Sequence, residues 1–377
     1  MEKKTLTAAQ LRQALRQAGL QPPRVLTLAI TGTCNLSCGH CWVESGPGAL
    51  AAMPAAAIFR LLREFAALGG AGIRITGGEP LCHPAWLESL RLARDLGFAQ
   101  LALQTNATLL DSDAVAELAA LAAPSLAIQV SLEGACAASH DQIRGKGSFA
   151  ATLAGLESLV AAGLGSRTTL AFTEMRHNLS EFPDLLQLAE KLGVAAVIAG
   201  TLVTGGRAAE EATGAGAPAT IDQYLQLLDR YLREPEFRER YRKLGNLTAL
   251  EWWRGEPAGT GCCRFIEQPY LTPAGQLYPC LMCHARDYGV SGVLETSLVA
   301  ALTEGVGLWR SLQAHCRQRP HTLSACQVCP EKEACAAGCP GRALGSSGKL
   351  QAVDDRCALR QAIAARRRAG NYRRSQP

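Results

Sequence analysis

Three cysteines fall within eight residues, in the segment Thr33-Cys34-Asn35-Leu36-Ser37-Cys38-Gly39-His40-Cys41-Trp42. The spacing C-x3-C-x2-C puts three thiolates on one loop. A structural zinc takes four ligands, usually from paired C-x2-C units, so three cysteines alone make a poor closed zinc site. An iron–sulfur cubane accepts thiolates readily, and three of them leave one iron open to a further ligand. His40 sits inside the C-x2-C step, where its ring is badly placed to reach the same cluster, so it is read as a loop residue.

A second group lies far downstream. Ten of the fifteen cysteines fall between Cys262 and Cys357. They read Cys263-x11-Gly275-x4-Cys280, then Cys326-x2-Cys329-x5-Cys335-x3-Cys339-x17-Cys357, with Cys262 and Cys283 close by. An odd count without a secretory signal points to thiols kept reduced for metal or redox work rather than to disulfides. Eight or so ligands could equally hold two zinc ions, and spacing alone leaves that open. Cys82, Cys136 and Cys316 have no such partner pattern and are read as small buried hydrophobes.

Further polar motifs stand between the two groups. Gly77-Gly78-Glu79-Pro80 offers a backbone that can approach a ligand closely and a carboxylate that can accept from an ammonium group. Gln104-Thr105-Asn106 and Val130-Ser131-Leu132-Glu133-Gly134 each end a β-rich run in polar residues. His140-Asp141-Gln142-Ile143-Arg144-Gly145-Lys146-Gly147-Ser148-Phe149 presents Arg144, suited to a carboxylate. His140 is read as structural.

The elements that must position these residues alternate regularly. β-rich runs occur at Val25–Ile30, Ile73–Thr76, Ala99–Gln104, Ala127–Ser131, Thr168–Thr173 and Ala195–Ala199. Helical stretches lie between them, at Ala55–Leu68, Trp86–Leu96, Phe149–Ala162 and Phe182–Leu192, after a short amphipathic helix near Leu6–Ala18. Strand followed by helix is the signature of a parallel sheet of βαβ units, and such sheets bind ligands at the carboxyl ends of their strands. Each polar motif above follows a predicted strand. The Gly/Ala-rich stretch 204–219 is a linker or mobile loop. A charged helix follows over 221–244, interrupted near Pro235. From Cys262 regular periodicity fades, apart from a small hairpin turning at 272–275, and the fold there is expected to rely on metal ligation.

Composition excludes several classes. The 377 residues are 48% apolar and 19% charged, which is neither a disordered chain nor one with an uninterrupted apolar run long enough to span a membrane. The net charge of +5 is too small to demand a nucleic-acid partner. The tail after Cys357 carries six arginines and no acid, and is read as a solvated helix.

In this order, after these strands, the motifs resemble those of the radical S-adenosylmethionine (SAM) enzymes. The resemblance covers about residues 25 to 200 and implies an α/β fold, a partial (β/α)6 TIM-type barrel. It further implies that Cys34, Cys38 and Cys41 hold a [4Fe-4S] cluster whose open iron is chelated by SAM, and that SAM is cleaved to a 5′-deoxyadenosyl radical. Gly77, Gly78, Glu79 and Pro80 would hold the methionine amino group. Gln104, Asn106, Ser131 and Glu133 would lie along the cofactor, and Arg144 would face its carboxylate. The distal cysteines are similar to the SPASM extension of that family, a small cysteine-rich domain with little regular structure. By that resemblance Cys326, Cys329, Cys335 and Cys357 would bind one auxiliary [4Fe-4S] cluster. Cys280, Cys339 and one or both of Cys262 and Cys263 would bind another, with Cys283 also near. The implied layout is an N-terminal extension (1–23), the barrel (24–203), a linker with bridging helices (204–260), the SPASM domain (261–358) and a basic tail (359–377).

Family members with this extension mostly modify ribosomal peptides or proteins, and others alter heme side chains. A cytoplasmic peptide or protein maturase is therefore expected, with tetrapyrrole modification second and a non-catalytic iron–sulfur or zinc protein third. Sulfatase-type maturases carry an Asp after the cysteine equivalent to Cys280, where this chain has Leu281. Residues 1–23 are too short for a leader-binding domain, so a separate leader-binding protein is expected, together with a reductant such as flavodoxin or ferredoxin, and no nucleic acid or membrane.

Overall fold

Six apolar runs become six parallel strands, β1 (Val25–Ala29), β2 (Gly72–Thr76), β3 (Gln100–Thr105), β4 (Leu126–Ser131), β5 (Thr168–Glu174) and β6 (Ala196–Thr201). Each neighbours the next in chain order. A doubly wound sheet reverses its order at a switch point. This one does not, so every crossover rolls the same way and the sheet curves as an open barrel. The computed structural model on which this rests describes residues 6–49, 51–121, 126–210, 216–255, 263–283 and 286–369. Cys262 lies outside the described residues.

Alternation along the strands separates the two faces. The outward set, including Leu101, Leu103, Ile128, Val130, Leu170 and Phe172, is 0–2% exposed beneath the helices. Helix Ala55–Ala67 supplies Ile58, Leu61, Leu62 and Phe65 to that layer, all 0% exposed. Burying each such side chain contributes roughly 1.5–3 kcal/mol. The inward set differs: Arg74, Gln104, Gln129, Ser131 and Ala171 remain partly exposed. The barrel interior is thus polar and unfilled toward its carboxyl end, which is where a ligand fits.

The expected charged helix is two, Ile221–Arg233 and Pro235–Leu244, the second beginning at the proline. They lead to β7 (Gly245–Asn246), which adds to β6. At the other edge, β8 (Tyr270–Leu271) pairs with β1 in parallel, and β9 (Leu277–Tyr278) pairs back on β8. The predicted hairpin therefore extends the barrel sheet and ties the cysteine-rich region to it by main-chain bonds.

That region is richer in helix than its weak periodicity indicates. Helix Leu298–Thr322 runs 25 residues and is followed by Pro340–Ser347 and Cys357–Ala369. It buries Leu302, Trp309, Leu312 and Cys316, and packs on the N-terminal helix Ala8–Gln17 through Leu11 and Leu15. Its apolar positions are diluted by Gly305, Gly307 and buried Gln313 and Arg319, which is why its stripe is hard to see in sequence.

Candidate active site

The loop after β1 carries Cys34, Cys38 and Cys41. The first two are 7% exposed and Cys41 is half-buried. With little regular structure of its own, the loop is held from outside. Cys34 N donates to Gly46 O (3.1 Å), Gly39 N to Ile143 O (2.8 Å), and Thr33 Oγ1 to Ala49 O (2.7 Å). The Gly77-Gly78 turn crosses directly behind it. Gly78 N donates to Thr31 O (2.7 Å) and Glu79 N to Thr33 O (2.9 Å). A Cβ on Gly77 would sit 2.3 Å from Thr31 O, and one on Gly78 2.4 Å from Thr33 O. The close approach these glycines permit is therefore to the cysteine loop itself.

Glu79, 1% exposed, is engaged by three donors. Oε1 accepts from Thr105 Oγ1 (2.7 Å) and Leu81 N (3.2 Å), and Oε2 from Asn106 N (2.7 Å). Burial raises its pKa, and these hydrogen bonds act against the rise. The carboxylate thus joins the end of β3 to the turn after β2. Asn106 continues the chain of contacts, its Nδ2 donating to Asn35 Oδ1 (2.9 Å) and lying 3.9 Å from Cys34 Sγ.

Glu133, also 1% exposed, organises the opposite side. Its carboxylate pairs with Arg144 Nη2 (2.7 Å) and His40 Nε2 (3.2 Å) and accepts from Thr173 N (2.6 Å). Burial alone would raise its pKa; Arg144 and His40 more than reverse this, and the carboxyl lies far below the usual range. Arg144 Nη1 reaches to 3.7 Å from Cys38 Sγ. His40 accordingly serves the loop by contacting Glu133. His140 Nδ1 accepts from Glu133 N (3.0 Å), and Asp141 caps the helix starting at Ser148 through Gly147 N and Phe149 N (2.7 Å each). The His140–Phe149 motif thus uses its polar residues to hold Arg144 and Glu133 in place.

These side chains enclose a cavity of about 250 Å3 lined by Cys34, Cys38, Cys41, Gly77, Gly78, Gln104, Asn106, Ser131, Arg144 and Arg207. Of the residues expected along the cofactor, Glu79, Pro80 and Glu133 stand behind this wall rather than in it. Burial pushes the Cys34 thiol up to about 12 and raises Cys38, the latter opposed by Arg144. Thiols so buried are inert until a metal takes the proton's place. Three thiols on one rim, two cationic side chains and a polar floor fit an iron–sulfur cluster with a zwitterionic ligand. Among the described residues, no three His, Cys, Asp or Glu side chains converge as the ligands of a single metal ion would. A second cavity of about 360 Å3 shares Trp42, Val43, Ser45 and Gly77 with the first and is bounded by Tyr270, Tyr278 and Gln276 of the hairpin.

Arg207 was not apparent from sequence. It lies in the stretch read as linker, yet its Nε donates to Cys38 O (2.9 Å) and Nη2 to Ser45 O (2.7 Å), while its backbone N donates to Cys41 O (3.1 Å). Gly206, at φ +51°, lets the chain pass so near that a Cβ would sit 2.8 Å from Cys41 O. The available signal was a single cation following a glycine pair in an otherwise Gly/Ala-rich stretch.

The described distal cysteines form two groups, and the described cysteines are thiols with no disulfide among them. Cys326, Cys329, Cys335 and Cys357 are electrostatic neighbours. Cys263, Cys280, Cys283 and Cys339 make up an inner group, and Cys316 joins it. Cys316 is therefore buried, as expected, but among thiols.

The sequence model of the Radical SAM superfamily matches residues 28–189. A mycofactocin maturase, MftC, of Mycobacterium ulcerans is 28% identical over 347 residues, covering 90% of this chain and 89% of that protein. An AdoMet-dependent heme synthase of Methanosarcina barkeri is 27% identical, covering 90% and 97%. The crystal structure of Streptococcus suis SuiB bound to precursor peptide SuiA shares the fold, with a TM-score of 0.69 at 17% identity over 92% of this chain and 78% of that one.

Proposed function

Since the chain is a radical SAM enzyme, we propose that it is a maturase acting on a peptide or protein, with three [4Fe-4S] clusters. The observation that carries this reading is the pair of cavities sharing a wall at Trp42 and Gly77, one rimmed by Cys34, Cys38 and Cys41, the other by Tyr270 and Tyr278. When bound in the first cavity, the cluster and SAM supply a 5′-deoxyadenosyl radical that takes a hydrogen atom from substrate. The residues of this chain bind, orient and shield. Cys34, Cys38 and Cys41 hold the cluster. The backbone of Gly77 and Gly78, with Asn106 and Gln104, lines one side for the zwitterionic end of SAM, and Arg144 and Arg207 supply positive charge beside the thiolates. Ser131 lies further along the floor. The apolar flank of the second cavity keeps water from a reactive centre and takes a side chain of the substrate.

Cys326, Cys329, Cys335 and Cys357 would hold an outer auxiliary cluster, and the Cys263, Cys280 and Cys339 group an inner one, to pass on an electron left by hydrogen abstraction. A flavodoxin or ferredoxin is the expected reductant and a separate leader-binding protein the expected partner, in the cytoplasm. No described helix is long and apolar enough to cross a membrane. The peptide reading is supported by the maturase among the relatives, and the heme synthase relative supports tetrapyrrole modification as the second reading.

The test is anaerobic reconstitution followed by SAM and a strong one-electron reductant. The expected results are about twelve irons per chain, for three cubanes, and 5′-deoxyadenosine from the wild type but not from Cys34→Ala. No 5′-deoxyadenosine from the loaded wild type refutes the reading. Transfer of deuterium into 5′-deoxyadenosine from a labelled precursor peptide, but not from a labelled tetrapyrrole, separates the two substrate classes.

A further inference from the structure

By motif spacing the inner auxiliary site draws on Cys280, Cys339 and one or both of Cys262 and Cys263, with Cys283 near, so its fourth thiolate is left open. We infer that Cys316, which lies outside every spacing pattern in the sequence, supplies the fourth thiolate, and that Cys283 is a neighbour rather than a ligand. The inference rests on the reading that the inner thiols hold a cluster.

Four separate segments bring these thiols together. The thiol of Cys263 stands directly beside those of Cys316 and Cys339. Cys316, 1% exposed, comes from the C-terminal half of helix Leu298–Thr322 and also stands beside Cys280. Cys339 heads helix Pro340–Ser347, where the N–H groups of Gly341 and Arg342 point at its sulfur. Cys280 Sγ receives the N–H groups of Met282 and Cys283. N–H groups directed at sulfur stabilise a thiolate. Cys283 contributes its backbone to Cys280, and its thiol meets the others only as an electrostatic neighbour.

The placement of Cys316 is reinforced by its own helix. Arg319, three residues on and therefore on the same face, is 0% exposed. It donates to Gly338 O (2.9 Å), Ala337 O (3.1 Å) and Ala352 O (2.6 Å). The first two bonds lock the helix to the turn between Cys335 and Cys339, and the third ties it to the segment before Cys357. That turn holds Ala336 (φ +48°), Ala337 (φ +65°) and Gly338 (φ +73°) in succession. Left-handed alanines are strained and persist only where surroundings over-determine them. Across this turn Cys335 neighbours Cys326 and Cys357 of the outer group, and Cys339 neighbours Cys263 and Cys280 of the inner one. A cysteine that merely filled space would need neither a buried arginine one turn away nor this fixed register.

The test uses the full-length chain, reconstituted anaerobically with iron and sulfide, and compares Cys316→Ser, Cys283→Ser and Cys262→Ser. Iron content and the EPR signals of the reduced clusters are read. The expectation is that Cys316→Ser loses about a third of the iron, one cubane of three, or keeps it with an altered signal at one site through an oxygen ligand. Cys283→Ser and Cys262→Ser should match the wild type. The outer cluster, held by its own four thiols, reports that the domain is folded. Wild-type iron and EPR in Cys316→Ser overturns the assignment, as does loss of iron from both auxiliary sites together or a one-third loss in Cys283→Ser or Cys262→Ser instead. A wild type that takes up only about four irons, one cubane, refutes the underlying cluster reading rather than the choice of ligand.

Discussion

Replacing Arg207 by Met keeps the aliphatic stem and removes the guanidinium that ties down the cysteine loop. Two side-chain hydrogen bonds are lost, to Cys38 O at 2.9 Å and Ser45 O at 2.7 Å, while the backbone bond to Cys41 O remains. A hydrogen bond from a charged donor contributes about 1.5–3 kcal/mol. Arg207 is half-buried, so solvent competes and the lower end applies, giving about 3 kcal/mol for both. At 1.4 kcal/mol per factor of ten, the loop should open roughly 100 times more often. The measurement is anaerobic iron release to a chelator from the fully loaded protein. Iron held by Cys34, Cys38 and Cys41 should leave about 100-fold faster in Arg207→Met, and the remaining iron at the wild-type rate. Arg207→Lys, which can reach only one carbonyl at a time, should fall between. Equal acceleration at every site would mean general destabilisation, and no acceleration would mean that Arg207 does not hold the loop; either result refutes the reasoning.

Glu133→Gln breaks a buried ion pair with Arg144 and should cost about 3–5 kcal/mol in thermal unfolding. Because the folded pKa of Glu133 is depressed, its contribution is present above the unfolded value of about 4.3 and is lost as pH falls below it toward the folded pKa. The melting difference between wild type and Glu133→Gln should therefore persist down to about pH 5 and narrow only below; a difference that already narrows between about pH 8 and 6 would contradict this. Gly78→Ala drives a Cβ to 2.4 Å from Thr33 O and should abolish cluster loading at the first site while sparing auxiliary iron, as read by iron content. Tyr224→Phe removes the 2.6 Å bond to Glu174 and leaves that buried carboxylate short of a donor. It should lower stability by about 1–3 kcal/mol without changing 5′-deoxyadenosine formation.

What the sequence disclosed and what it withheld divide along a physical line. Phe182–Leu192 forms the expected helix to the residue, and β1 to β6 fall within two residues of the apolar runs. Their signal is local: period-2 and period-3.6 burial repeats within a dozen residues. The cysteine loop and the Gly77–Pro80 turn are equally local, because a thiolate triad and two backbones crossing at van der Waals distance each demand particular residue types at fixed spacing. Glu79 and Glu133 were legible as functional carboxylates but not in their stations. Whether a carboxylate faces a ligand or sits one layer behind depends on Thr105, Thr173 and His40, which lie 26, 40 and 93 residues away, as the numbering gives. Arg207 and Cys316 carried least signal, since each meets its partners only through tertiary packing. Arg207 reaches back 169 residues to Cys38. Cys316 looks like a core residue on its helix until Arg319 is seen to fasten that helix to the left-handed turn. Spacing patterns record ligands that share a loop, so a ligand supplied by a helix whose position is set by a neighbouring arginine leaves no spacing to read.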